Sequence, residues 1–205
     1  MKKWILSLSL IFISASAIQA QVAGNGNDFE RLAYEKGDLS LNAGISFGLI
    51  GYGYGYYGNR SFPIPLTVNA NYGFGEYISA GAFLGYMRVS YSDNSFNSNY
   101  SLTFNNFSFG AQATFHASTF LKEEFDFAID DSKIDYYGKL ILGIETYSWN
   151  YDGPVFDNYY DDNGADVIFG PVLGVRYMFA PNFGAYVEGG RGTYGWVTLG
   201  ASLKL

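Results

Sequence analysis

Residues 38–49 read Asp-Leu-Ser-Leu-Asn-Ala-Gly-Ile-Ser-Phe-Gly-Leu, and their alternation decides the fold. Leu39, Leu41, Ala43, Ile45, Phe47 and Leu49 hold the odd positions, while Asp38, Ser40, Asn42, Gly44, Ser46 and Gly48 hold the even ones. Successive side chains of a strand point to opposite faces, so this stretch sets one apolar face against one small, polar face. The pattern returns strictly at 65–74, at 104–116 past its first residues and at 196–205 after Trp196, and less strictly at 77–91, 136–149, 166–179 and 183–190. Phe83 and Met87 blur the polar face of 77–91, and Phe104 falls on the polar side at the entry to 104–116. These segments make eight strands.

The connections alternate in length. Gly75-Glu76 and Ala180-Pro181-Asn182 are tight turns, whereas Ile50–Ile64, Ser92–Thr103 and Asn150–Ala165 are long and polar or aromatic. An up-and-down order places the long loops at one end and both termini at the other, the asymmetry of transmembrane barrels with short inner turns and long outer loops. Two connections depart from it: Ala117–Asp135 is long where a turn is expected, and Arg191–Gly195 is short for an outer loop. Ser118–Ile129 is read as a helix over the barrel mouth; a strand at Phe125–Ile129 would instead raise the count to ten.

Composition points the same way. Charged residues are 15% of the 205, against about 25% in soluble domains. Aromatics reach 20%, with 19 Tyr and 18 Phe, and there are 26 Gly. The net charge of −7 argues against a nucleic-acid partner. No Cys is present, which excludes disulfides, thiolate metal sites and a cysteine nucleophile. The main structural rival is a secreted soluble barrel with an apolar interior and a charged exterior. Asp38, Lys139, Glu145, Asp166, Arg176, Glu188 and Lys204 all fall opposite the apolar set, with Arg88 alone among strand charges on it. A soluble barrel would then hold seven charges inside and show water a hydrocarbon wall, costly on both counts. A wall that meets lipid removes the second cost. Arg88 is placed at the outer headgroup zone, either snorkelling there or touching a lipopolysaccharide phosphate. Twelve of the fourteen strand glycines lie on the polar face, as a narrow lumen requires.

Met1–Ala20 has the layout of a secretory signal: Lys2 and Lys3, then the apolar run Trp4–Ile13, then small residues with cleavage after Ala17 or Ala20. Its removal takes away Lys2 and Lys3 and brings the charge from −7 to −9. Residues 21–37 read as a polar periplasmic segment and 38–205 as the barrel.

The stretch 174–188, Gly-Val-Arg-Tyr-Met-Phe-Ala-Pro-Asn-Phe-Gly-Ala-Tyr-Val-Glu, resembles the closing hairpin of small outer-membrane β-barrel domain proteins of Gram-negative bacteria. Leu199-Gly200-Ala201-Ser202-Leu203-Lys204-Leu205 is similar to their last strand, with Leu205 where Phe is usual, and Tyr137-Gly138-Lys139-Leu140-Ile141-Leu142-Gly143 to a central one. The resemblance implies an eight-stranded antiparallel outer-membrane barrel over roughly residues 37–205. It brings no functional residues, since the family generally lacks an assigned activity.

Chemistry candidates are few. His116-Ala117-Ser118, with Asp126, Asp130 and Asp131 downstream, matches the His-x-Ser pair of some lipid A deacylases. However, His116 points to the lumen at the periplasmic end, away from an acyl substrate, and is read as a hydrogen-bonded lumen or rim residue. Glu145, Arg176, Glu188 and Lys139 face inward together, either as an ion path or as a paired plug, with Arg176 and Glu188 expected as near neighbours across the hairpin. Asp152, Asp157, Asp161 and Asp162 make Asn150–Ala165 acidic, but Tyr159 stands where a calcium loop begins with an acid and the bidentate Glu is missing. Gly51–Gly58 is a Tyr/Gly repeat suited to stacking on sugars or a partner, or to extending an aromatic girdle.

The sequence therefore predicts a non-enzymatic outer-membrane barrel with a structural or surface-interaction role through its loops. It assigns no catalytic, cofactor or metal residues. Its partners are outer-membrane lipid and lipopolysaccharide, with extracellular or envelope proteins at the loops. A narrow channel or apolar-solute conduit, and a lipid A-modifying enzyme, are the alternatives.

Overall fold

A computed structural model describes residues 32–49, 59–60, 65–93, 100–152, 163–190 and 194–205. The signal at 1–20, most of the 21–37 segment, the Tyr/Gly repeat and the acidic cluster Asp157, Asp161 and Asp162 lie outside these residues.

The alternating segments form strands β1 (Leu39–Leu49), β3 (Leu66–Gly73), β4 (Ile78–Asp93), β5 (Tyr100–His116), β6 (Ile134–Asp152), β7 (Asn163–Ala180), β8 (Phe183–Gly190) and β9 (Gly195–Lys204). A two-residue strand β2 (Asn59–Arg60) pairs with β4 beyond the end of β3 and belongs to the same stave. Each long strand pairs antiparallel with its sequence neighbours, and β1 pairs with β9, so the sheet closes. Closure matters because it leaves every strand's backbone amides and carbonyls with a partner in a medium that offers none.

The register determines the barrel's shape. One circuit runs from Leu39 through Tyr72, Ala80, Ala113, Leu140 and Pro171. Extended one residue past Val172–Gly190 and two past Gly189–Val197, it comes back through Gly195 to Leu49, ten residues along the strand where it began. A ten-residue stagger over eight strands, at ~3.3 Å per residue and ~4.8 Å between strands, tilts the staves by about 40°. A barrel of this size has an interior only wide enough for side chains.

The wall sorts by parity as the alternation requires. Leu142 is 58% exposed, Phe169 58% and Leu173 73%, while Lys139 is 7% and Arg176 5%. Hydrocarbon covers the outside and ionic groups fill the inside, the reverse of a soluble barrel. This is a transmembrane barrel. Arg88 sits on the outer face as expected.

Glycine abundance has a positional cause. Lateral rows across the sheet set one large aromatic beside glycines on the next strands: Phe83 with Gly110 and Gly143, Tyr186 with Gly200 and Gly44, Tyr137 with Gly174. Each ring lies flat over its neighbours, where their Cβ atoms would otherwise stand. A Cβ on Gly110 would meet Phe83 Cε1 at 2.8 Å and fall against the Leu142 carbonyl oxygen. Gly189, on the outer face, has nothing within 4 Å of such an atom. Gly110→Ala is thus expected to lower unfolding stability by about 1–3 kcal/mol through overpacking, and Gly189→Ala to be neutral within about 0.5 kcal/mol. Urea titration of the refolded barrel in lipid vesicles checks both.

Three open points are decided, the first in favour of the eight expected strands. Residues 126–130 carry no strand, so the staves number eight and not ten: helix α1 (Ala117–Phe125) ends at Asp126 in the left-handed region (φ 54°), which turns the chain away from an extended path. The segment that covers the mouth is 32–38, not the helix, with Ala33 and Tyr34 1% and 6% exposed. Phe83, Met87 and Phe104, which blur the polar faces in the sequence, are lumen residues: Phe83 packs with Ile141 and Ile168, and Met87 and Phe104 pack with Val89 and Tyr194 nearer the outer end. The lumen is therefore polar at the end that holds the termini and increasingly apolar toward the other.

Candidate functional site

The polar end of the lumen gathers the chain's single histidine and a set of buried charges. Asp135 on β6 stands directly opposite Arg176 on β7, and Arg176 Nη2 donates to Asp135 Oδ2 at 2.9 Å. His116, last residue of β5, pairs with Tyr137, which makes Asp135 its diagonal neighbour; His116 Nδ1 lies 2.9 Å from the same Oδ2. On the other side, Thr114 pairs with Ser79, and Ser79 Oγ lies 2.9 Å from His116 Nε2. Ser79, His116 and Asp135 are all 2% exposed or less.

The order Ser Oγ, His Nε2, His Nδ1, carboxylate is that of a hydrolytic triad. Its surroundings are not those of one. The Tyr34 ring stacks on the imidazole at 3.5 Å and 3°, closing the approach. Ser79 and its neighbours lie in the β3–β4–β5 ladder, so their amides are engaged and none is turned toward a developing oxyanion. Arg176 also draws on the carboxylate that would orient the base. The candidate His116–Ser118 pair does not form either. Ser118 lies in the first turn of α1 and its Oγ accepts the Tyr136 amide at 2.7 Å, while Asp130 and Asp131 bind Ser132 and Lys122.

Tyr34 is held from several sides. Its hydroxyl reaches the carbonyl oxygens of Gly75 and Ile78 at 2.8 and 2.7 Å. Burial, with the Asp135 and Asp38 carboxylates nearby, pushes its phenol up to about 12, so it stays neutral and donating at ordinary pH. Beside it, Lys204 Nζ pairs with Asp38 Oδ2 at 3.2 Å and donates to the Leu32 carbonyl, and the Ala33 amide donates to Asp131 O at 2.8 Å. The first described residues are thus tied to the last strand and to the segment after α1.

One layer further in, Lys139 Nζ donates to Glu188 Oε1 at 2.6 Å, and Tyr137, lying across Gly174, donates to the same oxygen at 2.9 Å. An amide chain continues the layer: Gln112 donates to Asn71 Oδ1 at 2.6 Å, Asn71 to Asn69 Oδ1 at 3.0 Å, and Asn42 to Asn69 Oδ1 at 2.7 Å. Arg176 and Glu188 are diagonal neighbours across the β7–β8 hairpin, but the ion pairs run elsewhere, Arg176–Asp135 and Lys139–Glu188. Asp135 takes Arg176 because it lies straight across the sheet from it. Glu145 joins neither pair and receives Asn106 Nδ2 at 3.4 Å nearer the outer end. The void among Thr67, Asn69, Gln112, Lys139, Glu188 and Thr198 has the size of about one water molecule.

No protein-family model matches the chain, and no curated protein does. Among solved structures there are partial likenesses. Ail, the attachment invasion locus protein of Yersinia pestis, solved with the heparin analogue sucrose octasulfate, is 14% identical at a TM-score of 0.48, with 82% of this chain and 95% of that one covered. The N-terminal β-barrel domain of Pseudomonas aeruginosa OprF gives 15% and 0.42, covering 84% and 100%. Neisserial surface protein A gives 15% and 0.40, covering 82% and 92%. The likeness is one of architecture. What the lumen and wall do rests on this chain's own residues.

Sequence reading missed Ser79, Asp135 and Tyr34 as members of the cluster. The first two had a signal, since both are polar-face positions near the ends of strands that flank His116. Tyr34 had none, because it precedes the alternating pattern.

Proposed function

We propose that this chain is a non-enzymatic integral protein of the outer membrane, a closed and non-conducting barrel whose role is structural or is exercised through its outer loops. The observation that carries the reading is the filled lumen: two buried ion pairs at one end, Phe83, Ile141 and Ile168 packed together, and Met87, Val89, Phe104 and Tyr194 packed toward the other end. An ion crossing this path would have to displace paired charges and then pass an apolar layer, with a desolvation cost at each step. Residues 1–20 would direct export, and Ile50–Ile64 and Asn150–Ala165, mostly beyond the described residues, would present the interaction surface. Lipid and lipopolysaccharide are its surroundings, with Arg88 placed to meet a headgroup phosphate.

Purified barrel inserted in planar phospholipid bilayers is expected to give no conductance steps. Regular, reproducible steps would support the channel reading and overturn this one.

A further inference from the structure

We infer that helix α1 and the residues after it form a second membrane contact: an aromatic anchor that lies in the interfacial zone of the phospholipid leaflet at the end of the barrel that holds the termini. This rests on the wall being lipid-facing. The path of rings makes the case. Phe115 is the last outward residue of β5, 41% exposed on the hydrocarbon wall. Its ring is 5.5 Å from Phe120 on α1, Phe120 is 5.8 Å from Phe125, and Phe125 is 6.4 Å from Phe127. Tyr77, in the β3–β4 turn, meets both Phe115 and Phe120, at 6.5 and 5.5 Å. The apolar wall therefore continues without a break onto the helix, and ends in Phe125 and Phe127 at 61% and 55% exposed.

The polar groups of the segment lie among and around these rings. Ser118 and Thr119 are buried, so the helix is seated on the barrel by that side. Glu123, Glu124, Asp126 and Asp130 are exposed, and Glu123 accepts the Tyr77 hydroxyl at 2.5 Å. Exposed rings with carboxylates between and beside them suit the boundary between acyl chains and water, where both kinds of group find their solvent. The carboxylates disfavour an anionic surface and suit a zwitterionic phospholipid leaflet. The turn after the helix is rigid enough to aim the rings: Asp126 and Phe127 amides both return to the Leu121 carbonyl, and the Ile129 amide donates to Phe127 O at 2.8 Å.

The chain has no cysteine, so single nitroxide labels can be placed cleanly. Phe125→Cys, Phe127→Cys, Glu124→Cys and the wall control Leu142→Cys, labelled one at a time in the full barrel, would be reconstituted in phosphatidylcholine vesicles. Collision with oxygen, which enters lipid, is compared with collision with a water-soluble nickel chelate. Labels at 125 and 127 are expected to favour oxygen severalfold, as at 142, and the label at 124 to favour the chelate. Chelate-favoured collision at 125 and 127, with 142 still favouring oxygen, overturns the anchor alone. Chelate-favoured collision at all four overturns the membrane barrel and the anchor with it.

Discussion

Replacing Arg176 with alanine is expected to lower the unfolding free energy of the barrel by about 3–5 kcal/mol. The guanidinium is 5% exposed, and its partner Asp135 is 1% exposed. Truncation leaves that carboxylate in the lumen with His116 Nδ1 as its partner among the described residues, at 2.9 Å. It also frees Ser202 Oγ, which Arg176 Nη1 reaches at 3.4 Å, and removes a cation 5.7 Å above the Tyr137 ring. The cost is that of a stranded buried charge and not the net worth of the pair, so removing both ends should hurt less. Arg176→Met with Asp135→Leu is expected to recover a large part of the loss. Urea unfolding in lipid vesicles, followed by tryptophan fluorescence, measures both variants. A loss below about 1 kcal/mol for Arg176→Ala would mean the pair behaves as a solvated one, and the lumen is wet.

Placing arginine on the wall should be nearly as damaging, and it tests a different part of the fold. Leu142 is 58% exposed near the middle of β6, opposite Ala111 and Phe169 on its two neighbours. Leu142→Arg is expected to cost about 2–4 kcal/mol if that position meets the hydrocarbon midplane, because the guanidinium must either lose its water or thin the bilayer around it. Leu205 is almost as exposed, at 48%, but lies at the rim beside the start of β1. There the same substitution is expected to cost about 0–1 kcal/mol. The contrast is the diagnostic. Two exposed leucines on a soluble protein would both accept arginine with little change, and equal small costs would sink the lipid-facing reading.

How much of this was open to inspection in the chain depends on the range of the interaction. The parity of Leu39 to Leu49, and of the strands like it, is a local property: each residue's face follows from its neighbours two positions away, so the lipid-facing and lumen-facing sets could be read before any strand was paired. The exceptions, Phe83, Met87 and Phe104, looked like noise in that pattern. Parity was right about them, and the assumption that a lumen is polar throughout was not. Their place follows from the narrowness of the barrel: large rings fit only where Gly110 and Gly143, or the space near Tyr194, leave room for them.

The candidate site was less legible, and for a physical reason. Arg176 and Glu188 share a hairpin, so sequence proximity suggested a pair. Asp135 lies 41 residues from Arg176 and meets it only because the β6–β7 register sets them face to face. Ser79 and His116 are 37 residues apart and meet through a diagonal contact in the same way. Tyr34, outside every strand, gains its place from backbone carbonyls of a turn some forty residues on. By itself, then, the sequence determined that there would be a closed wall of alternating strands, which side would face lipid, and that the charges would be turned inward. Which charge meets which, what covers the mouth, and where the helix rests were decided only by register, stagger and closure, because these bring together residues that no local period connects.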